Sequence, residues 1–273
     1  MPVINIVLED LNRMLKDNLS STDFANIIPK IGADPDEITD SEAIIEFFPD
    51  RPDLLSTEGV ARALRAFTEQ KLGLIDYEII PPTTQMFISS EVLEIRPSIS
   101  AGIVRGVTLD DVAIKSLMEL QEKLHVTLGR KRKKVSIGIH DLSKLEGPFS
   151  YDTCSPHEPA FVPLQKDYEM TPQEILEEHP KGIEYAHLLS EFNKYPIIKD
   201  SNDEVVSLPP IINGAFATIT EDSTDVLIDV TGLDDNAVES CLNIVAAALV
   251  ERGGVIEQIE LRFPSENLSL IHI

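Results

Sequence analysis

The sequence predicts an α+β protein in two parts: a small mixed module over residues 1–82 and a larger, mainly antiparallel sheet domain with helices over residues 83–264. Three features carry that reading. Strand-like and helix-like stretches alternate irregularly, hairpin-like pairs outnumber clear βαβ units, and no internal repeat or low-complexity tract breaks the pattern. With 273 residues, 42% of them hydrophobic and 26% charged, the chain has the apolar mass for one large or two modest cores.

Residues 3–7 alternate as a short strand does, and residues 9–15 then take up helical spacing. Ser21-Thr22-Asp23 is a capping sequence for a helix beginning at Phe24, which Gly32 and Asp34-Pro35 end. Residues 43–47 read as a second strand. Two prolines force an extended loop over residues 48–59, feeding a helix from Val60 that Asp53 or Ser56 is placed to cap. Residues 77–82, followed by Thr83-Thr84, break the periodicity and form the expected linker.

In the larger part, residues 101–107 read as a strand. Thr108-Leu109-Asp110-Asp111 caps a helix running to about Leu124, with Val112, Leu117, Leu120 and Leu124 as its apolar stripe. Residues 211–212, 217–219 and 225–231 supply strands, a helix over 236–251 stops at Gly253-Gly254, and residues 255–263 alternate as one closing strand.

No window approaches eighteen apolar residues and the start lacks a basic-then-apolar leader, so a cytosolic protein with no membrane partner is expected. Cys154 and Cys241 lie far apart with no CxxC or Cys/His spacing, which indicates neither a metal site nor a disulfide framework. A formal charge of -24 argues against a broad nucleic-acid surface, because phosphate binding rests on Lys and Arg. Arg130-Lys131-Arg132-Lys133-Lys134 locally reverses that sign, and it reads equally as a solvated loop or as an RNA-phosphate contact.

Asp229 and Thr231 stand two apart on an expected strand, so they share a face and can converge on one ligand; the plainer reading is the exposed face of an edge strand. Ser207 sits in a Ser-Leu-Pro-Pro segment whose prolines fix the backbone direction. His140-Asp141 invites an acid–base reading, but neighbours on a strand point to opposite faces, so a structural histidine at a strand end is expected. His179 and His187 have no nucleophile at readable spacing.

Four segments together resemble the phenylalanyl-tRNA synthetase β subunit in the form shared by archaea and the eukaryotic cytosol. Residues 49–62 resemble the family's N-R-P-D-x-x-S-x-x-G-x-A-R element, with Asp50 where many bacterial members have Asn. Residues 129–142 are similar to G-R-x-R-x-x-x-x-G-x-H-D. His179-Pro180-Lys181-Gly182 followed by the segments 195–201 and 207–214 make the third, and Ile228-Asp229-Val230-Thr231-Gly232-Leu233-Asp234, close to I-D-V-T-G-T-D, the fourth.

The resemblance implies a B1 module followed by a B3/B4 editing domain that hydrolyses tyrosine wrongly attached to tRNA(Phe). It places Ser207, Asp229 and Thr231 at the site of hydrolysis and Ile198, Leu208 and Asn213 in the substrate pocket; Arg130, Lys131, Arg132, Lys133 and Lys134 are the candidate tRNA contact that their charge suggests. Asp229 is expected to read the phenol while Ser207 and nearby backbone N–H groups position the ester. It also implies an α-subunit partner in a heterotetramer. Neither a Walker loop nor the ATP-gripping arginines of a class II synthetase occurs here, so no cofactor is expected for this part, and ATP and Mg2+ are implied for the complete enzyme. Residues 265–273 match nothing in the family and are expected as a truncated tail. A noncatalytic assembly or tRNA-binding module and an inactive truncated product are the alternatives.

Overall fold

The computed structural model describes residues 2–48 and 50–264, and the backbone of 268–270. The expected tail over 265–273 therefore lies outside the described residues, apart from that short backbone stretch.

The first module runs β1 (Val3–Val7), α1 (Leu8–Met14), α2 (Ser21–Ile27), β2 (Ala33–Ile38), β3 (Glu42–Phe47) and α3 (Thr57–Phe67), with an antiparallel sheet in the order β1-β3-β2. Ile4 and Ile6 alternate into the core, as do Ala43, Ile45 and Phe47, which is the period of two that the sequence announced. Ser20 rather than Ser21-Thr22-Asp23 caps α2, its hydroxyl accepting from the Asp23 N–H. Gly32, at φ 86, closes the turn after α2 in the left-handed region. The sequence hid β2 because its Asp34-Pro35-Asp36-Glu37 is an edge strand, polar and bulged between Pro35 and Glu37. Ser56 caps α3 by accepting from the Gly59 N–H, and a Cβ on Gly59 would meet the Asp53 carbonyl at 1.7 Å, so the preceding loop lies flat on the helix start.

The larger part adds β4 (Ile79–Ile80), β5 (Gln85–Ile88), β6 (Ser98–Arg105), α4 (Asp111–Val126), β7 (Val135–Asp141), β8 (Phe149–Cys154), α5 (Pro172–Glu178) and α6 (Pro180–Tyr185). It continues with β9 (Tyr195–Lys199), β10 (Val205–Leu208), β11 (Ile212–Asn213), β12 (Asp225–Gly232), α7 (Asp235–Val250), β13 (Val255–Gln258), β14 (Glu260–Arg262) and β15 (Leu268–Leu270). Two sheets result, ordered β4-β13-β6-β12-β7 and β11-β10-β9-β8-β5-β14-β15. Most neighbours are antiparallel; β4/β13, β5/β8 and β5/β14 are parallel. The fold is thus α+β, a small mixed module and a mainly antiparallel larger part.

Three local expectations change. Ile79–Ile80, within the expected linker, pairs with β13 and so joins the sheet of the larger part. The single closing strand over 255–263 is two strands: the chain leaves one sheet after Gln258 and enters the other at Glu260, with Ile259 buried between them. Residues 217–219 form no strand; Thr218 turns back on the Ala215 carbonyl, and the Ala217 carbonyl accepts from the Asp141 N–H.

Asp110 caps α4 and Asp234 caps α7, each accepting from the N–H three residues on. Val112 is only half-buried, and Ala113 with Leu117, Leu120 and Leu124 makes the inward stripe of α4. Alpha-helix α7 buries Val238, Cys241, Leu242, Val245 and Leu249, and packs on β6 and β12. One apolar core runs from Ile4 through both parts, and a second, around Phe161, Ile175, Ile197 and Leu208, lies under α5 and α6.

The two parts are also pinned by charge. Arg252 donates both terminal nitrogens to Asp10 of α1 at 2.7 Å and its Nε to Glu58 of α3 at 2.7 Å, while Ser116 of α4 donates to Glu58 at 2.8 Å. Burial disfavours the charge on Arg252, yet the Asp10 hydrogen bonds and the fields of both carboxylates hold its pKa above the ordinary value.

Candidate functional site

The site begins with strand register. In the β7/β12 pair, Leu227 stands opposite His140, Asp229 opposite Gly138, and Thr231 opposite Ser136, so these side chains share one face. His140 Nε2 lies 2.6 Å from Asp229 Oδ2, with both residues buried. Gly138 makes room for the pair, since a Cβ there would sit 1.9 Å from Asp229 Oδ2 and 2.5 Å from His140 Nε2. Asp141 points the other way and accepts from Ser143 and Ser223. A His140–Asp141 relay is thus absent, as expected. His140 is the penultimate residue of β7, a hydrogen-bonded histidine at a strand end as expected; what the sequence did not indicate is its partner, the expected site carboxylate 89 positions along the chain.

Neither Asp229 nor Thr231 is an exposed edge residue; both are buried on a central strand. The Thr231 hydroxyl accepts from Arg96 Nε at 2.8 Å and meets Ser136 Oγ at 3.0 Å, and its carbonyl accepts from Arg96 Nη2 at 2.8 Å. Arg96 also donates to the carbonyls of Arg132 and Lys133. Burial lowers the Arg96 pKa to about 10, against the fields of Tyr151 and Asp229, so it remains a cation at neutral pH. No sequence motif drew attention to Arg96.

Those carbonyls belong to the basic turn, where Arg130, Lys131 and Arg132 take φ of 47, 55 and 64. The turn sorts its cations. Arg130, Lys131 and Lys133 are exposed, Lys134 pairs with Asp234 at 3.3 Å, and Arg132 is folded inward. Arg132 Nη1 donates to the Ile211 carbonyl at 2.7 Å, Nη2 to Glu122 at 2.7 Å, and the guanidinium lies 4.8 Å from the Tyr185 ring centre. Expected as part of a tRNA contact, Arg132 instead faces the interior.

On the other sheet, Ser207 stands directly opposite Ile198 of β9 and Asn213 of β11, so the three lie abreast. Ser207 Oγ is buried without a hydrogen-bond partner among the described residues. Ser207 and Asn213 from this sheet, with Ser136, Gly138 and Asp229 from the other, border a hollow of about 10 Å3 that Arg132 also lines. A second cavity, of about 400 Å3, shares Arg132, Ile137, Ile212 and Asn213 with it. Ile114, Met118, Ile139 and Ile219 make that cavity apolar, and His140, Gln121, Glu122 and Lys181 add polar groups. Its size falls in the range of small-molecule sites.

The fold therefore brings Ser207, Asp229 and Asn213 to one hollow. Ile198 lies beside Ser207 but is packed into the main core, and Leu208 faces the second core. Among residues that sequence reasoning did not single out for a pocket, Gly138 and Arg132 sit at the hollow, and His140 lines the larger cavity. Of the other described histidines, His179 accepts from the Lys181 N–H at 3.1 Å at a helix start, His125 accepts from the Ile137 N–H at 2.8 Å, and His157 and His187 are exposed.

Comparison with known proteins shows the family and the fold. The B3/4 domain family matches residues 85–260, and the Phe-tRNA synthetase beta subunit B1 domain family matches residues 1–70. Phenylalanine–tRNA ligase beta subunits from Methanosarcina barkeri and Methanocaldococcus jannaschii are 51% and 45% identical to the chain, over 97% and 96% of it and 48% of each relative. The chain thus spans about half the length of the curated relatives it matches. The crystal structure of an N-terminal fragment of the phenylalanyl-tRNA synthetase beta-subunit from Pyrococcus horikoshii superposes with a TM-score of 0.96 at 33% identity, covering 100% of this chain and 80% of that one.

Proposed function

Because the chain belongs to the phenylalanyl-tRNA synthetase β-subunit family, of which it carries the B1 and B3/4 parts, we propose that it is an editing module that hydrolyses tyrosine wrongly esterified to tRNA(Phe). The observation that carries the reading is the shared hollow between Ser207 and Asp229, one from each sheet.

A synthetic pocket built for phenylalanine rejects tyrosine only through one added hydroxyl, which limits discrimination to about a hundredfold. A second site that bonds the hydroxyl reverses the preference. Here the 400 Å3 cavity takes the aromatic aminoacyl group, and the hollow takes its phenolic oxygen. His140 occupies Asp229 Oδ2, which turns the other carboxylate oxygen toward the phenol. Asn213, at both cavities, orients the aminoacyl group between them. Water adds to the ester carbonyl, the bond to the terminal ribose oxygen breaks, and tRNA leaves with a free hydroxyl and tyrosine with a carboxyl group. Thr231 acts through Arg96, which fixes strand β12 against the basic turn.

In the whole protein this module serves a cytoplasmic enzyme of α and β subunits that attaches phenylalanine to tRNA(Phe), and ATP and Mg2+ belong to that step. The exposed Arg130, Lys131 and Lys133 contact the tRNA backbone, so affinity falls as salt rises.

The test is incubation of the chain with Tyr-tRNA(Phe). Deacylation is expected, and Asp229→Ala or Ser207→Ala slows it at least tenfold with the fold intact by circular dichroism. A folded chain that neither deacylates nor binds this RNA ends the proposal. Active wild type with unaffected variants moves the chemistry elsewhere.

A further inference from the structure

We infer that Arg132 is a specificity-determining residue of this pocket: its Nε–H, Ser207 Oγ and Asp229 form a cradle for one hydroxyl oxygen, which reads the tyrosine phenol. The inference rests on the editing reading for its substrate, and on independent geometry for the cradle.

Among the described residues, three buried side-chain atoms lack a hydrogen-bond partner: Arg132 Nε, Ser207 Oγ and Asn243 Oδ1. Two of the three belong to residues bordering the same hollow, which is about 10 Å3, close to the space one water-sized oxygen needs. Buried polar groups are almost always satisfied, so two orphans at one hollow of that size mark the place of a missing oxygen. Its chemistry follows from the walls. Arg132 Nε only donates, the Asp229 carboxylate only accepts, and the Ser207 hydroxyl does either. The occupant must therefore donate and accept at once, as a hydroxyl or water does. A carboxylate or phosphate oxygen would meet Asp229, and a metal cation would meet Arg132.

Arg132 is held rigidly for this. Its two terminal nitrogens are committed to Ile211 and Glu122, and Tyr185 stacks beneath the guanidinium. The fork leaves Nε as the one guanidinium nitrogen without a partner, its N–H set in a direction the flexible lysine ammonium does not reproduce. A tyrosyl group satisfies all three walls through one oxygen; a phenylalanyl group leaves them unpaired, and the cognate ester is spared.

The experiment uses the full 273-residue chain and its Arg132→Lys variant, which keeps a cation beside Glu122. Deacylation of Tyr-tRNA(Phe) and Phe-tRNA(Phe) is measured, along with calorimetric binding of free L-tyrosine and L-phenylalanine. The tyrosine-to-phenylalanine ratio is expected to fall about 10- to 100-fold in the variant. A ratio unchanged while both rates drop assigns Arg132 a purely structural role and overturns the inference. If the wild type fails to deacylate yet prefers tyrosine and the variant loses that preference, the cradle stands and the hydrolase reading falls. Should the variant not fold, crystals of the unaltered chain soaked with L-tyrosine decide: the phenol oxygen within hydrogen-bond distance of Arg132 Nε supports the cradle, and any other seat for it overturns it.

Discussion

His140 and Asp229 meet at 2.6 Å without being register partners, for His140 stands opposite Leu227 and Asp229 opposite Gly138. The contact is a diagonal one, reached across the space a missing Cβ leaves. Because both groups are buried, each alanine substitution strands the other, and a double-mutant cycle on His140→Ala and Asp229→Ala is expected to give a coupling of about 1–3 kcal/mol in urea unfolding. Additive single effects would show that the pair does not act as a unit.

Gly138→Ala places a methyl 1.9 Å from Asp229 Oδ2. The carboxylate must move off His140, and a stability loss of about 1–3 kcal/mol is expected from overpacking. An Asp229→Gly background removes the nearer clash and leaves only the one with His140 Nε2 at 2.5 Å, whose ring is then free of its partner, so the same substitution there should cost less. Thermal unfolding of the four proteins checks this, and an equal penalty in both backgrounds would place the strain elsewhere.

Arg252 is half-buried between the buried Asp10 and Glu58, at 2.7 Å from each. Arg252→Met leaves two buried carboxylates without their cation, which costs about 3–5 kcal/mol. Urea midpoints are the measurement. A loss under about 1 kcal/mol would mean that the apolar core alone joins the two parts.

Burial, aided by the field of Arg132 and opposed by Glu122, lowers the His125 pKa to about 4, and the Ile137 N–H holds Nε2 unprotonated. The unfolded ring takes its proton near pH 6.5 while the folded ring does so only near 4, so the unfolded state binds more protons between those values. Stability therefore drops as pH falls through that window, by about 2 kcal/mol between pH 7 and 5 from this group. His125→Gln should flatten the slope of unfolding free energy against pH; an unchanged slope would exclude His125 as its source.

Much of the architecture was readable because it rests on short-range patterns. The alternation of 43–47, the caps Ser56 and Asp110, and the apolar stretches that become α4, β12 and α7 all lie within one element. Strand β2 escaped because an edge strand buries too little to need an apolar period, and the passage through Ile259 from one sheet to the other leaves the alternation of 255–263 unbroken in sequence.

The sequence by itself determined the α+β fold class, which follows from local periodicity, and the family resemblance, which follows from four short motifs and implied the choice of Ser207 and Asp229. Only the tertiary structure decided that Asp229 pairs with His140, that Thr231 is spent on Arg96, and that Arg132 leaves its basic neighbours for the interior. Those outcomes depend on which strands become neighbours, in what register, and how much water the packing excludes, none of which is a property of a short stretch of chain.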